Sequence, residues 1–333
     1  VQETGDAVQE TGDAVQETYV EYYKTKLAAN ADWSLLESLS PDLIIANDLD
    51  CLVLANLIFR QAKIVFDAHE YAPLEYNYQA DWWSKYEQPA RVWACQTFLP
   101  HVAGMSTVCR GIAAEFEKNF DIPWGIEIVT NAPLAENLLP RPTGKIIRIV
   151  HHGLGAPLRK IELMAEAVKL LGFGYELNLV LVKGDPEYIQ ELRSKYEAFE
   201  NIHFLDPVPM PEIARFISNF DIGIFILEPE IFNYEWALPN KFFEFIQARL
   251  AIAVGPSPEM GRIVQEFGLG IVAADFSPEA MAKALLTVSP LDIDRYKANS
   301  DRCARIFCAE ANKGVMLEMI SRALKRDLSE GVA

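Results

Sequence analysis

The sequence predicts an α/β protein whose chain is divided between two parallel-sheet domains, and three observations carry that expectation. From Asp42 onward, short apolar runs alternate with amphipathic stretches of helical period, the pattern of crossover helices covering a parallel sheet. The apolar runs fall into two blocks: 43–46, 64–67, 105–108 and 127–130, then 146–151, 177–182, 202–205, 222–226, 251–254 and 271–273. Between them the segment N-A-P-L-A-E-N-L-L-P-R-P-T-G is rich in helix and strand breakers. At 333 residues the chain is long enough for two separate cores, so the blocks read as two Rossmann-like domains.

Taken in order, residues 1–18 repeat V-Q-E-T-G-D-A about two and a half times. The two small apolar residues of each unit, such as Ala7 and Val8, are adjacent rather than three or four apart, and a Gly-Asp interrupts each unit. That spacing makes no coiled-coil seam and predicts a polar, mobile leader. Residues 19–132 form the first domain, whose four strands are few for a doubly wound unit and suggest an incomplete one. The linker is placed at 133–145. Residues 146–330, with six strands, form the second domain.

Composition narrows the partners. Lys and Arg number 30 against 47 Asp and Glu, a net charge of −17 that opposes a nucleic-acid partner and gives no sign of an anionic membrane surface. Peripheral membrane contact is therefore not signalled. Cys51, Cys95, Cys109, Cys303 and Cys308 are scattered and include no C-x-x-C pair, so neither a disulfide framework nor a zinc site is indicated, and a reducing cytoplasm fits. No apolar run reaches the about 18 residues of a membrane span.

Four segments carry candidate chemistry. In L-P-N-K-F-F-E a helix starts near Asn240, with free amides that attract anions. Lys241 can hold a phosphate there, and Glu244, one turn later on the same face, can accept two hydrogen bonds from a ribose diol. The alternative is a surface Lys–Glu pair contributing about 0.2–0.5 kcal/mol. In H-H-G-L-G-A-P-L-R-K, the amides around Gly153 and Gly155 with Arg159 and Lys160 can neutralise a diphosphate; the alternative is a tight strand-to-helix turn with solvated cations. In D-A-H-E, Asp67, His69 and Glu70 end a strand where α/β sheets place ligands, although His69 can equally bond to backbone there. The N-D-L-D segment presents Asp48 and Asp50 in a pattern like a metal-binding pair, but a helix cap after a strand is the preferred reading, and no metal site is expected. Asp206 to Pro209 can frame a base. The aromatic run that includes Tyr76, Trp82, Trp83 and Tyr86 fits core packing, or stacking against sugar rings.

The L-P-N-K-F-F-E and D-A-H-E segments, with the glycine loop, resemble those of GT-B glycosyltransferases of the large retaining family, over roughly residues 40–325. The resemblance implies a GT-B fold, two Rossmann-like domains with parallel sheets facing a cleft. It further implies a nucleotide-sugar donor held by Gly153, Gly155, Arg159, Lys160, Asn240, Lys241 and Glu244, with His69 as the catalytic contact to the donor sugar. Transfer would retain anomeric configuration, use no metal or other cofactor, and deliver the sugar to a saccharide or lipid-linked acceptor. Two positions depart from the pattern: Leu154 stands where many members have arginine, and Trp236 stands where a glutamate eight residues before Glu244 is usual. A sugar-nucleotide epimerase and a non-catalytic binding module are the alternatives, the former resting on His69 and on His151 or His152.

Overall fold

The computed structural model describes residues 12–28, 32–76, 80–182 and 184–325. Of the expected leader, residues 1–11 lie outside the described residues; the remainder enters a helix, Gly12–Ala28. The chain divides into two compact units: unit 1 comprises Val1–Thr107, Ala113–Glu127 and Glu318–Ala333, and unit 2 comprises Val108–Ile112 and Ile128–Leu317.

In unit 1 the sheet runs β1 (Leu43–Asn47), β2 (Lys63–Ala68), β3 (Gly104–Thr107), β4 (Ile126–Ile128), in that spatial order. β1 and β3 both pair parallel to β2, with Ile45 opposite Val65 and Phe66 opposite Met105. Parallel strands need crossovers, and helices Asp48–Ile58, Gln88–Phe98 and Arg110–Asn119 lie between successive strands. β2 is covered on both faces, which is why Val65, Phe66 and Ala68 are all buried. Gly104 is small for a packing reason: a Cβ there would lie 2.9 Å from Met319 Cγ.

In unit 2 the order is β10–β9–β8–β5–β6–β7, built from β5 (Ile147–Leu154), β6 (Tyr175–Val182), β7 (Ile202–Leu205), β8 (Ile222–Phe225), β9 (Ala251–Val254) and β10 (Gly270–Val272). Its neighbouring strands pair parallel throughout. The chain lays down β5, β6 and β7 outward in one direction, then returns to place β8 on the other side of β5. Strand order therefore reverses between β5 and β8, the switch point where open α/β sheets leave a crevice at their carboxyl ends. Helix Asn240–Gln247 packs closely over this region because Gly223 on β8 has no side chain; a Cβ there would be 2.3 Å from the Phe245 ring.

All ten strands expected from the apolar runs are present, with ends shifted by a few residues. The breaker-rich segment at 133–145 is neither helix nor strand and is bonded into unit 2. Its Glu136 amide donates to Gln247 Oε1 at 3.0 Å, and its Thr143 amide donates to Asp294 at 2.8 Å. Two buried cations hold its carbonyls. Lys297 donates to Arg141 O at 3.1 Å and pairs with Asp221 at 2.6 Å. Arg249, in left-handed conformation at φ 61°, donates to Glu136 O at 2.7 Å and pairs with Asp301 at 2.7 Å. Asp221 also accepts from the Arg148 amide at 2.8 Å, so one carboxylate ties the start of β5 to the start of β8. Among the described residues no helix is long and apolar enough to cross a membrane.

Removing one partner of a buried ion pair strands the other charge away from water. Lys297→Met is therefore expected to destabilise unit 2 by about 3–5 kcal/mol, read by urea denaturation followed by circular dichroism. A loss below about 1 kcal/mol would place the pair in the class of solvent-screened bridges.

Candidate functional site

The site grows out of the carboxyl end of β5. His151 and His152 lie near the end of this strand, and Gly153, the next residue within it, has φ 125°, a conformation that favours glycine. Its lack of a side chain has a direct consequence: a Cβ on Gly153 would lie 2.9 Å from Lys241 Nζ. The glycine thus opens the space into which the lysine reaches.

Lys241 comes from helix Asn240–Gln247, whose apolar positions Phe242, Phe243, Phe245 and Ile246 are all buried. Pro239 is its N-cap and no side chain caps the first turn, so the leading amides face outward unpaired by a capping side chain. The Lys241 amine lies 4.2 Å from the centroid of the Phe225 ring and 3.4 Å from His151 Nε2. His151 Nδ1 is 3.0 Å from the Ile224 carbonyl. Since a carbonyl only accepts, Nδ1 carries the hydrogen and, in the neutral ring, Nε2 turns a lone pair toward the lysine. Burial pushes the His151 pKa well below the usual range, and the nearby Lys241 charge pushes it further.

No carboxylate makes an ion pair with Lys241 among the described residues. Burial lowers its pKa to about 7, the positive charge of Arg159 acts in the same direction, and Glu244 opposes them. Glu244 is itself buried, which raises its pKa to about 7 against the pull of Lys241. His152 Nε2 lies 3.4 Å from Glu244 Oε2 and has no hydrogen-bond partner among the described residues. Its pKa is lowered to about 3, by burial first and then by Lys241, so the contact joins a neutral imidazole to a carboxyl group rather than two charges. The ring edge packs on Phe245 at 5.3 Å. Each histidine therefore addresses one functional side chain, His151 the lysine and His152 the glutamate.

These groups line a pocket of about 430 Å³. Its polar residues include His152, Arg159, Asn240, Lys241 and Glu244, with Gly153 beside them. The apolar lining includes Leu154, the residue standing where many relatives of the pattern have arginine, with Val180, Val208, Met210 and Ile213. Two cations and an uncapped helix start suit a diphosphate, the carboxyl suits a diol, and the apolar lining suits a flat ring. The Val208 contribution falls within the segment Asp206 to Pro209 expected to frame a base.

Of the expected site residues, Gly153, Arg159, Asn240, Lys241 and Glu244 are brought together. Lys160 and Gly155 are not among the residues lining the pocket. Lys160 adopts φ 43° and ion-pairs with Glu228 and Glu230. Arg159, its neighbour, lies 4.9 Å from the Tyr234 ring and lines the pocket. Gly155 is a packing position, since a Cβ there would be 2.6 Å from Ile189. Trp236 packs against Gly111, where a Cβ would be 1.7 Å from its ring, and Glu235 is exposed. The roles of His151 and His152 as neighbours of Lys241 and Glu244 were not legible from the chain; their signal was two polar rings at the end of an apolar strand, directly before a glycine.

His69 lies in unit 1. Its Nε2 is 3.2 Å from Asp67 Oδ2, and its amide donates to Asp48 Oδ1 at 3.0 Å. Ser106 donates to the other Asp67 oxygen at 2.6 Å. The hydrogen bond to Asp67 raises the His69 pKa. Asp48 and Asp50 do not converge as a metal pair: Asp48 holds the His69 backbone, whereas Asp50 pairs with Lys26 at 3.0 Å.

No family model matches the chain, and no curated protein matches it in sequence. Its fold is shared with solved structures. A Staphylococcus aureus TarM variant, solved with Fondaparinux, alpha-GlcNAc-glycerol and UDP, superposes with a TM-score of 0.67 at 11% identity over 88% of this chain and 58% of that one. Sucrose-phosphate synthase from Thermosynechococcus elongatus gives 0.67 at 15% identity over 96% and 82%. Anabaena Alr3699/HepE in complex with UDP gives 0.69 at 13% identity over 87% and 80%. The chain spans less than two thirds of TarM's own length. At these identities the likeness is one of fold: this chain has the GT-B fold, with two Rossmann-like units built on parallel sheets.

The pKa shifts predict that ligand binding at the pocket depends on pH in opposite senses for its two ends. Lys241 is depressed from 10.5 to about 7, so the empty site sheds a proton as pH rises through that value, and an anion that needs the ammonium form must bring the proton back. Pyrophosphate affinity is expected to fall as pH rises from about 7 to about 9, by up to about tenfold per unit. Uridine binding should strengthen as pH rises through about 7, where Glu244 ionises. Calorimetry on Lys241→Arg, whose charge persists, should abolish the first slope and Glu244→Gln the second. Slopes identical to the native protein in both variants would separate these side chains from the ligand.

Proposed function

We propose that this chain is a glycosyltransferase that takes a sugar from a nucleotide-sugar donor and passes it to a saccharide or lipid-linked saccharide. The observation that carries this is the convergence, in one pocket of unit 2, of the Asn240 helix start, two cations, and a buried carboxyl beside an apolar wall. The GT-B fold shared with structures solved with UDP supports it.

In this proposal the donor diphosphate lies against Arg159, Lys241 and the amides at Gly153 and Asn240. The ribose diol donates to Glu244, and the base rests on Val180, Val208 and Met210. Cleavage of the glycosidic bond puts negative charge on the departing diphosphate, and preorganised cations stabilise that charge more than they stabilise the intact donor. Such stabilisation suffices without a metal, so we assign a metal-independent reaction with no cofactor. Among the described residues lining the pocket the one carboxyl, Glu244, is assigned to the ribose, so we assign attack by the acceptor on the face that the leaving group vacates, with retention. His69, held by Asp67, which Ser106 holds in turn, and kept basic by the carboxylate, is assigned as a hydrogen-bond donor to the donor sugar. The epimerase alternative has less support, because burial keeps His151 and His152 neutral and both face unit 2 side chains already. A cytoplasmic setting belongs to the proposal and accords with the five free thiols.

A ligand that binds only the folded state stabilises it, by about 2.7 kcal/mol at a hundred times its Kd. UDP, GDP or ADP is expected to raise the melting temperature, with the rise unchanged by EDTA. Release of nucleoside diphosphate from the matching nucleotide sugar should slow about a hundredfold in Lys241→Ala, the scale for losing one preorganised charge partner. No melting shift with any of the three nucleotides would overturn the donor assignment.

A further inference from the structure

Unit 1 contains a separate pocket, of about 610 Å³, that the donor assignment does not use. Tyr22, Thr25 and Lys26 of the Gly12–Ala28 helix line one part of it, and Asp50, from the first turn of the helix after β1, lines another. The rest comes from the aromatic run noted in the sequence, including Tyr76, Trp82 and Trp83, with Glu87 and Arg91. Its size falls within the about 300–1,000 Å³ typical of small-ligand sites.

Three features set it apart from a gap in the core. Trp82 is 55% exposed and Tyr76 38%, so large rings face solvent within a concave surface. Trp83 is 1% exposed, yet its indole Nε1, which can only donate, has no acceptor among the described residues. The backbone from Trp83 to Glu87 is a π-helical turn, a form that recurs at functional sites.

The charges select the ligand class. Lys26 donates to Asp50 at 3.0 Å and to Glu87 at 2.8 Å, while Arg91 donates to Glu87 at 2.9 Å and also pairs with Glu75. Tyr22 donates to Glu87 as well. The two cations are thus matched by three carboxylates, which disfavours a phosphate-bearing ligand. Arg91 also occupies the ring faces nearest it, 5.1 Å from Trp83 and 5.6 Å from Tyr76, where an external cation would otherwise stack. A neutral ring with an apolar C–H face and several hydroxyls meets what remains: aromatic surface for the face, carboxylate oxygens to accept from hydroxyls, and the Trp83 N–H to donate.

We propose that this pocket is a binding subsite for a neutral saccharide residue, with Trp82 as the stacking platform and Trp83 Nε1 as a hydroxyl-directed donor. As a subsite on the acceptor side it rests on the glycosyltransferase proposal above, though its binding can be measured without turnover.

The experiment titrates the full chain with glucose, galactose, N-acetylglucosamine and maltose, followed by saturation-transfer NMR and by tryptophan fluorescence. At least one sugar should bind in the millimolar range. Trp82→Ala should weaken it by about tenfold or more, the loss of one aromatic contact, and Trp83→Phe should weaken it while keeping an aromatic ring in place. Lys241→Ala, in the other pocket, should leave sugar binding unchanged. Absence of binding by all four sugars, or native affinity in both tryptophan variants, would overturn the subsite. Tighter binding of choline or glucose 6-phosphate than of any neutral sugar would overturn its ligand class. The UDP melting shift, measured on the same samples, keeps the two proposals apart. A shift without sugar binding removes only the subsite, and tryptophan-dependent sugar binding without a shift removes only the donor assignment.

Discussion

The amine of Lys241 is half-buried at the pocket wall without a carboxylate in ion-pair contact among the described residues, and much of the unit 2 site is organised around that fact. Three groups make it tolerable: a glycine that leaves room, an aromatic face, and an imidazole lone pair. None supplies a full negative charge. Burial therefore draws the lysine toward its neutral form, and Arg159 adds to the pressure. An anion entering the pocket relieves the imbalance. Built-in electrostatic dissatisfaction of this kind is common where a site is matched to a ligand rather than to its own empty state.

The placement of this amine depends on backbone features several residues away. Strand order reverses beside β5, so the carboxyl end of that strand borders a crevice instead of a continuous sheet edge. Gly223 lets Phe245 approach β8, which seats the helix carrying Lys241 and Glu244. The amino ends of β5 and β8 are tied by Asp221, whose partner Lys297 also fixes the breaker-rich segment that precedes the second sheet. Rigidity there is what allows a pocket with poorly matched charges to persist, because a loose frame would relax to pair them.

Units 1 and 2 hold their polar side chains differently. In unit 2 the pocket's cations lack ion-pair partners among the described residues and its histidines are neutral. In unit 1 the charges close on one another: Lys26, Arg91, Glu75 and Glu87 form a connected network, and His69 is held by Asp67, which Ser106 holds in turn. A satisfied network offers directed hydrogen bonds without strong net charge, a surface suited to hydroxyls, whereas unmatched cations suit phosphates.

The chain itself announced both sheets, since buried parallel strands read as near-continuous apolar runs and the ten runs are mostly apolar, broken by single polar residues such as Arg148, Asn178 and His203. It also announced the Asn240 helix and the spacing of Lys241 and Glu244, because period and capping are local properties. Adjacency could not decide between Arg159 and Lys160. The left-handed backbone at Lys160 turns that side chain toward Glu228 and Glu230, which lie far along the sequence, and leaves Arg159 at the pocket. Nor could spacing show that Gly155 exists for Ile189, or that His151 and His152 meet Lys241 and Glu244. Those contacts join segments from 34 to more than 90 residues apart, as counted from Gly155 to Ile189 and from His152 to Glu244. Helices and strands follow from short-range pattern, but which side chains share a pocket is set by packing between distant segments, and only the tertiary structure decides it.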